Sequence, residues 1–346
     1  MTLKVGIIGT GWVSLHRHIP AYRRDHRTKI VALVDRSEEN ASKASRKMKI
    51  PKFYTDLAKM VQNEHPDIVS ICTPPPTHSA LAVEAMELGC HVITEKPMAM
   101  NVDECNRMIE ASRSCGKKLT VNHNFLFSKS FLKVKAIRES GELGDVQSVH
   151  ALQVTNLKRR LPQWYSELPG GLYFDEAPHM VYLLRCLLGK DMSVVDASVD
   201  DTPVGTQPLS RVIASFRNQS RGTGVLTIVF DAPRDEWTMT VVAQRKILFL
   251  DIFRDTVAVI GKGGRHSPGE VFQGSLSLIS QNLNGVASSG LGWMTGRLLY
   301  GEDKIIRLFI DSLLNGSDPP ISGEDGKAVV STMREILAKG CPTPPR

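Results

Sequence analysis

The sequence predicts an α/β chain of two domains. The first is an N-terminal, doubly wound parallel sheet of the Rossmann type. The second is a C-terminal, open and mostly antiparallel sheet with helices on one face. Three observations predict this. The chain has 346 residues, more than one small core requires. Over its first third, short and mostly continuous apolar runs alternate with helical patterns, as in a parallel sheet covered on both faces. From Ser193 to Ile260, strand-like runs then follow one another across short turns, the pattern of antiparallel neighbours.

The elements read in order. Lys4–Ile8 is a strand, Val13–Arg24 a helix and Ile30–Val34 a second strand. Glu38–Met48 is helical, Phe53 and Tyr54 mark a short strand, and Leu57–Asn63 is helical. Asp67–Cys72 is a strand, followed by a helix over His78–Leu88 that Gly89 stops. After the strand His91–Thr94, Asn101 and Glu104 have capping-box spacing ahead of a helix over Val102–Ser114. Leu119–Val121 closes the series, which places a domain boundary near residues 123 and 124. The second domain, 124–346, opens with a helix over Phe131–Ser140 and a long strand over Val146–Thr155. A basic loop leads into a helix over Phe174–Leu188, stopped by Gly189. The strand-like runs are 194–199, 211–216, 224–230, 238–242, 247–252 and 256–260. Gly261–Gly269 reads as a glycine-rich loop. Helices near Lys304–Leu314 and Glu324–Leu337 precede a proline-rich tail.

Composition narrows the function. Hydrophobic residues make up 42% and charged residues 23%, ordinary for a soluble globular protein. No apolar run approaches the roughly 18 residues of a membrane span. The first strand starts almost at once, with no secretory pattern before it. The six cysteines form no C-x-x-C pair. That favours free thiols in a reducing, cytoplasmic setting over zinc or disulfides. The net charge of +7 is spread along the chain, with one tight cluster at Lys158, Arg159 and Arg160, and no nucleic-acid module accompanies it. A small-molecule partner is expected, with neither nucleic acid nor membrane.

Gly9-Thr10-Gly11-Trp12-Val13-Ser14 lies between the first strand and the first helix. This is G-x-G-x-x-G with serine in the third glycine position. Gly9 allows the tight turn, Gly11 allows backbone to approach a pyrophosphate, and the helix N-terminus favours its charge. Asp35 ends the second strand, where a carboxylate accepts hydrogen bonds from ribose hydroxyls and repels a 2′-phosphate. NAD is therefore preferred over NADP. Arg36 beside it leaves adenine stacking, or a 2′-phosphate partner, open.

Ile93-Thr94-Glu95-Lys96-Pro97 ends a later strand in a chain that opens in this way. Thr73-Pro74 with His78, His18 with Pro20, and Gly141-x-x-Gly144 stand in a fixed order around it. Gly170-Gly171-Leu172-Tyr173-Phe174-Asp175-Glu176-Ala177-Pro178-His179 follows. Together these motifs resemble the Gfo/Idh/MocA oxidoreductases, the family of glucose–fructose oxidoreductase and inositol dehydrogenase. The resemblance spans nearly the whole chain. It implies NAD(P)-dependent hydride transfer to or from a secondary alcohol of a sugar, sugar acid, nucleotide sugar or cyclitol. It also implies a homodimer or homotetramer formed through the open sheet face.

Carried over residue by residue, the resemblance implies three active-site groups, Lys96, Asp175 and His179. Their chemistry is reasonable in its own right. Alcohol oxidation needs a base for the hydroxyl proton, and histidine titrates near neutrality. Asp175 and His179 are four residues apart on one helix face. Lys96 can donate to substrate oxygens, or relay the proton if its pKa is lowered, and the bond to Pro97 can be cis or trans. Cofactor contacts are assigned to Gly9, Gly11, Trp12, Val13, Asp35, Arg36, Thr73, Pro74, His78, Glu95 and Lys96. Substrate contacts are assigned to Lys96, Asn122, Trp164, Tyr173, Asp175 and His179. Ala177, Tyr182 and Leu126 depart from the family pattern, and Glu176 adds a carboxylate, which leaves the substrate open. The basic cluster reads as an anion site or as a solvated loop. The rival functions are a non-catalytic cofactor-binding regulator of the same fold, and a reductase or dehydrogenase of a non-sugar such as a dihydrodiol or a biliverdin-like molecule.

Overall fold

The computed structural model describes residues 2–261, 263, 267–296 and 298–341. The chain forms two compact units, Met1–Asn124 with Gly301–Ser331 and Phe125–Tyr300 with Thr332–Arg346.

In the first unit, β1 (Leu3–Ile8), β2 (Thr28–Val34), β3 (Phe53–Tyr54), β4 (Ile68–Ile71), β5 (His91–Thr94) and β6 (Leu119–Val121) form one sheet in the order β3-β2-β1-β4-β5-β6. Every ladder is parallel. The middle strands are apolar on both faces because helices cover both faces; β4 and β6 are buried throughout. The first helix opens as a π segment, Ser14–His18, and continues as α1 (Ile19–Arg24). Next come α2 (Glu38–Met48), α3 (Leu57–Glu64), α4 (His78–Glu87) and α5 (Val102–Ser114). Polar caps fix several starts. The side chains of Ser37, Asp56 and Asn101 accept from the backbone N–H of Asn40, Lys59 and Glu104. The returning arm of the box differs from the expected form: Glu104 accepts from the N–H of Met100, at 2.9 Å.

The second unit contains α6 (Lys129–Glu139), β7 (Val146–Val154) and α7 (Leu172–Leu188), followed by β8 (Ser193–Asp200), β9 (Arg211–Arg217), β10 (Thr223–Val229), β11 (Glu236–Ala243), β12 (Ile247–Asp251) and β13 (Thr256–Ile260). The sheet order is β13-β12-β11-β7-β10-β9-β8. Only the β7–β10 ladder is parallel; the others are antiparallel. Burial alternates along β9, β10 and β11, which marks a sheet with one covered face. Apolar α7, buried along most of its length, packs against β7 and β10.

Two expectations need correction. A 27-residue helix, α8 (Pro268–Met294), occupies a stretch where the sequence pattern predicts no element. Ser267 caps it, so Gly269 lies in its first turn and not in a loop. Residues 262 and 264–266 of the expected glycine-rich loop, and 342–346 of the proline tail, lie outside the described residues. The second correction concerns α9 (Glu302–Asn315) and the start of α10 (Gly323–Gly340). These return to the first unit, whereas the sequence reading assigned all of 124–346 to the second domain. Arg27 pairs with Asp311 at 2.7 Å, and the Lys118 ammonium donates to the Ser312 carbonyl at 2.6 Å. Sequence neighbours give no sign of such distant partners.

The start of α7 depends on glycine. Gly171 has φ 62° and ψ −125°, and a Cβ there would sit 2.4 Å from Gln207 Oε1 and 2.6 Å from Pro208 Cδ. Buried Gln207 caps the helix, accepting from Leu172 N–H at 2.8 Å and donating to the Gly170 carbonyl at 3.0 Å. Gly171→Ala should therefore lose roughly 2–4 kcal/mol in urea denaturation. An unchanged midpoint would contradict this reading.

Candidate active site

The dinucleotide turn lies where the strand order reverses, between β1 and β4, the place where doubly wound sheets bind ligands. Gly9 has φ 90°, and a Cβ on it would lie 2.7 Å from the Cys72 carbonyl. Any other residue would push the two strand ends apart. A Cβ on Gly11 would meet nothing within 4 Å, so its backbone remains approachable. Ser14, in the third glycine position, is buried and donates to the Gly11 carbonyl at 2.8 Å. Trp12 is exposed, stacked on His16 and covered by the Arg17 guanidinium. Val13 is half-buried and Arg36 exposed.

Asp35 closes this turn. Its Oδ2 accepts from the N–H and hydroxyl of Thr10, at 3.0 and 2.5 Å, and its Oδ1 accepts from Ser37 N–H at 3.0 Å. Two carboxylate oxygens offer about four acceptor directions, so capacity for further donors remains. His78 is fully buried, with one ring nitrogen 2.8 Å from the Thr73 carbonyl and the other 2.9 Å from that of Pro97. Burial pushes its pKa down. Kept neutral, the ring donates to one of these carbonyls and packs against the other, so it sits between the Thr73-Pro74 turn and the Lys96-Pro97 turn, whose bond is cis.

Beneath that second turn lies a buried ionic network. Glu95 Oε1 accepts from His18 Nε2 at 2.7 Å and from Asn122 Nδ2 at 2.6 Å. The same amide lies 2.9 Å from both oxygens of Glu302, and His18 Nε2 is 3.1 Å from Glu302 Oε1. His18 Nδ1 meets Ser70 Oγ at 2.8 Å. His18, Glu95 and Glu302 have the spacing of metal ligands, but a donor, the Asn122 amide, sits on both carboxylates and the separations are those of hydrogen bonds. Holding that orientation leaves buried Asn122 Oδ1 without a partner. Burial raises both carboxyls. For Glu95 it is outweighed by His18, by Lys96 and by Asn122, and the carboxyl falls to about 2. For Glu302 burial wins, with the charge of Glu95 added, and the carboxyl rises to about 7. Burial lowers the His18 pKa, but Cys72 and the carboxylates outweigh it, so the imidazole titrates well above 6.5.

In the second unit, Asp175 and His179 share one face of α7, both half-buried. His179 Nδ1 is 2.8 Å from the Tyr182 hydroxyl, whose oxygen accepts from Phe125 N–H at 3.2 Å. Phe125 meets the imidazole edge-on at 4.8 Å and Trp237 lies tilted at 5.4 Å. The Tyr182 hydroxyl and the rings of Phe125, Tyr182 and Trp237 thus help to orient the imidazole.

A family model described as an oxidoreductase family with an NAD-binding Rossmann fold matches residues 3–123. A second model, of the Gfo/Idh/MocA C-terminal domain, matches residues 131–249. The chain belongs to the Gfo/Idh/MocA oxidoreductase family. Oxidoreductase P35 of Formosa agariphila is 27% identical over 266 residues, 75% of this chain and 82% of that protein. Myo-inositol 2-dehydrogenase of Thermotoga maritima is 24% identical, across 94% of this chain and 92% of its own. Among solved structures, the WlbA dehydrogenase of Bordetella pertussis, in complex with NADH and UDP-GlcNAcA, shares the fold with a TM-score of 0.78 at 20% identity, covering 98% of this chain and 97% of that one.

Within this Gfo/Idh/MocA chain several expected site residues are engaged elsewhere. Tyr173 is fully buried and its hydroxyl donates to the Met333 carbonyl at 2.9 Å. It packs α7 against α10, and the substrate role expected of it is withdrawn. Asn122 is 2% exposed, with its amide committed to the carboxylates, so it supports Glu95 from below. Glu176 is buried against Thr155, Gln153 and Arg159, and Arg159 also pairs with Asp235. The basic cluster is thereby reduced to exposed Lys158 and Arg160. Trp164 is half-buried on a short 3-10 turn, Gln163–Glu167. Glu302, Gln207 and Thr10 escaped the sequence reading, since each acts on a partner far along the chain.

The network has a pH signature. Folded Glu302 keeps its proton up to about 7, whereas an unfolded glutamate loses it near 4.3. The folded state therefore holds the extra proton in that window, and stability falls as pH rises through it. Glu302→Gln removes this loss. Relative to the parent, the variant should gain on the order of 1–3 kcal/mol between pH 5 and pH 8 in urea denaturation. A difference independent of pH would contradict the assignment.

Proposed function

We propose that this oxidoreductase transfers hydride between NAD(H) and a secondary alcohol of a sugar, sugar acid, nucleotide sugar or cyclitol. The observation that carries the reading is the first unit's pair of turns. The Gly9–Gly11 turn, which leaves no room for a Cβ at its first glycine, abuts the Cys72–Thr73 backbone, and buried His78 lies between the Thr73 carbonyl and that of Pro97 in the Lys96-Pro97 turn. The turn fits a dinucleotide: Gly11 gives backbone access and the helix from Ser14 presents its N-terminal end. Asp35 supports NAD over NADP, because a carboxylate at the end of β2 repels a 2′-phosphate. The names of the relatives support the substrate class, and Trp164 offers a face for a sugar ring. With Arg159 paired internally, an anionic substrate group would depend on Lys158 or Arg160.

Nicotinamide, when bound, accepts or supplies the hydride. The chain's residues handle the proton and the oxygen. His179, with Nδ1 held by Tyr182, takes the hydroxyl proton in oxidation and returns it in reduction. Asp175, one turn earlier on the helix face, accepts a hydrogen bond from the substrate and favours the imidazolium. Lys96 donates to a substrate oxygen and stabilises the negative charge that develops on it.

Two measurements test this. In fluorescence titrations the parent should bind NADH more tightly than NADPH, and Asp35→Ala should narrow that ratio about tenfold. Equal loss for both nucleotides would reduce Asp35 to a brace for Thr10. In a screen of polyols and nucleotide sugars followed at 340 nm, Lys96→Ala and His179→Ala should each lower kcat by roughly 10²–10⁴ with NADH affinity retained. Variants that keep the parent kcat would overturn the roles assigned.

A further inference from the structure

Helix α8 carries its apolar side chains outward. Phe272, Leu276, Ile279, Leu283, Val286 and Trp293 are 64, 50, 56, 66, 48 and 74% exposed. With Gly290 they follow one another at alternating steps of four and three residues, the a/d seam of a 3.5-residue repeat over three heptads. The opposite side of the helix is docked on β13. Gln281 exchanges hydrogen bonds with the backbone of Val259, at 3.0 Å each way, Gly285 lies against Thr256, and Ser289 is buried. The seam therefore faces away from the unit that carries it.

We propose that this seam pairs with the same helix of a second copy of the chain. The six side chains present roughly 700 Å², more than the patch of about 300–600 Å² that an ordinary monomer leaves open. Two copies would bury about 1,400 Å², within the range of stable interfaces. The regular step of four and three matters for a partner helix, whose knobs need holes in register; a bilayer needs apolarity but no register. Glu270 is the only charged residue of α8, so the helix lacks the basic residues by which surface helices find anionic lipid. The exposed residues flanking the seam, Gln273, Ser280 and Ala287 on one side and Ser275 and Asn282 on the other, are uncharged. Such flanks select against no copy of themselves, whereas pairing with a different chain is usually set by charges there. A two-fold pair places the identical stripe on both sides. This surface adjoins the open sheet face through which the sequence resemblance implied association, since Asn282 beside the seam lines one cleft with Thr238, Thr240 and Phe249, and it does not depend on the substrate proposed above.

The test is light scattering after gel filtration, at about 10 µM, of the parent, Leu283→Asp, Leu276→Ser and Asn284→Asp, with NADH binding as the check that each is folded. Leu283 and Leu276 lie on the seam, and Asn284 is exposed beside it. The parent should run at a multiple of 38.2 kDa. Both seam variants should show half the parent mass, and Asn284→Asp should match the parent. A monomeric parent, or seam variants that keep the parent mass, would overturn the proposal. So would flotation of the parent with phosphatidylcholine vesicles that Leu283→Asp abolishes, since lipid would then be the occupant.

Discussion

Glu95 ends β5 with one oxygen shared between the His18 ring and the Asn122 amide, and that contact organises the first unit. It joins residues from the first helix, from the end of β6 and, through Glu302, from a helix that returns to this unit after Phe125–Tyr300. Two carboxylates so near each other cannot both ionise in a buried site. The arrangement resolves this with one cation, one anion and one acid that holds its proton to near neutrality. The carboxyl that stays charged is the one next to Lys96. That lysine therefore follows a rigid, charge-balanced base, and the Pro97 carbonyl after it is fixed by His78.

The same economy of space appears at the two glycine turns. Gly9 brings the ends of β1 and β4 within contact distance, and Gly171 brings the start of α7 against Gln207. In both, a missing Cβ lets a backbone segment approach another closely, and a chemically useful segment follows at once: the dinucleotide turn in one case, the Asp175–His179 face in the other. Strand ends and a helix face place these groups.

Much of this was legible in the sequence because it is local. Continuous apolar strands gave the parallel sheet, the capping-box spacing of Asn101 and Glu104 gave the start of α5, and Glu95-Lys96-Pro97 stood out as polar chemistry at a strand end. Asp175 and His179 share a helix face by spacing alone. What escaped depends on contacts distant in sequence. A lone glutamate at 302 gives no hint of its partner at 95, nor Gln207 of the helix it caps. Tyr173 belongs to a motif rich in site residues, yet its direction from the helix axis sends it into the core. α8 was hidden by its glycines and serines, whose low helix propensity masks a regular apolar step.

The most direct test of the central claim, that a charge-balanced buried network holds the Lys96 turn, is the state of the His18 ring. Nitrogen NMR of the ¹⁵N-histidine-labelled protein, with the His18 signal assigned by its loss in His18→Gln, would report it. The account predicts that His18, with its ring between two carboxylates, titrates above the ordinary histidine value and keeps both ring nitrogens protonated at pH 7. A His18 signal that titrates near 6.5, or shows a neutral ring at pH 7, would contradict it and would leave the Glu95 carboxylate without the cation that its burial requires.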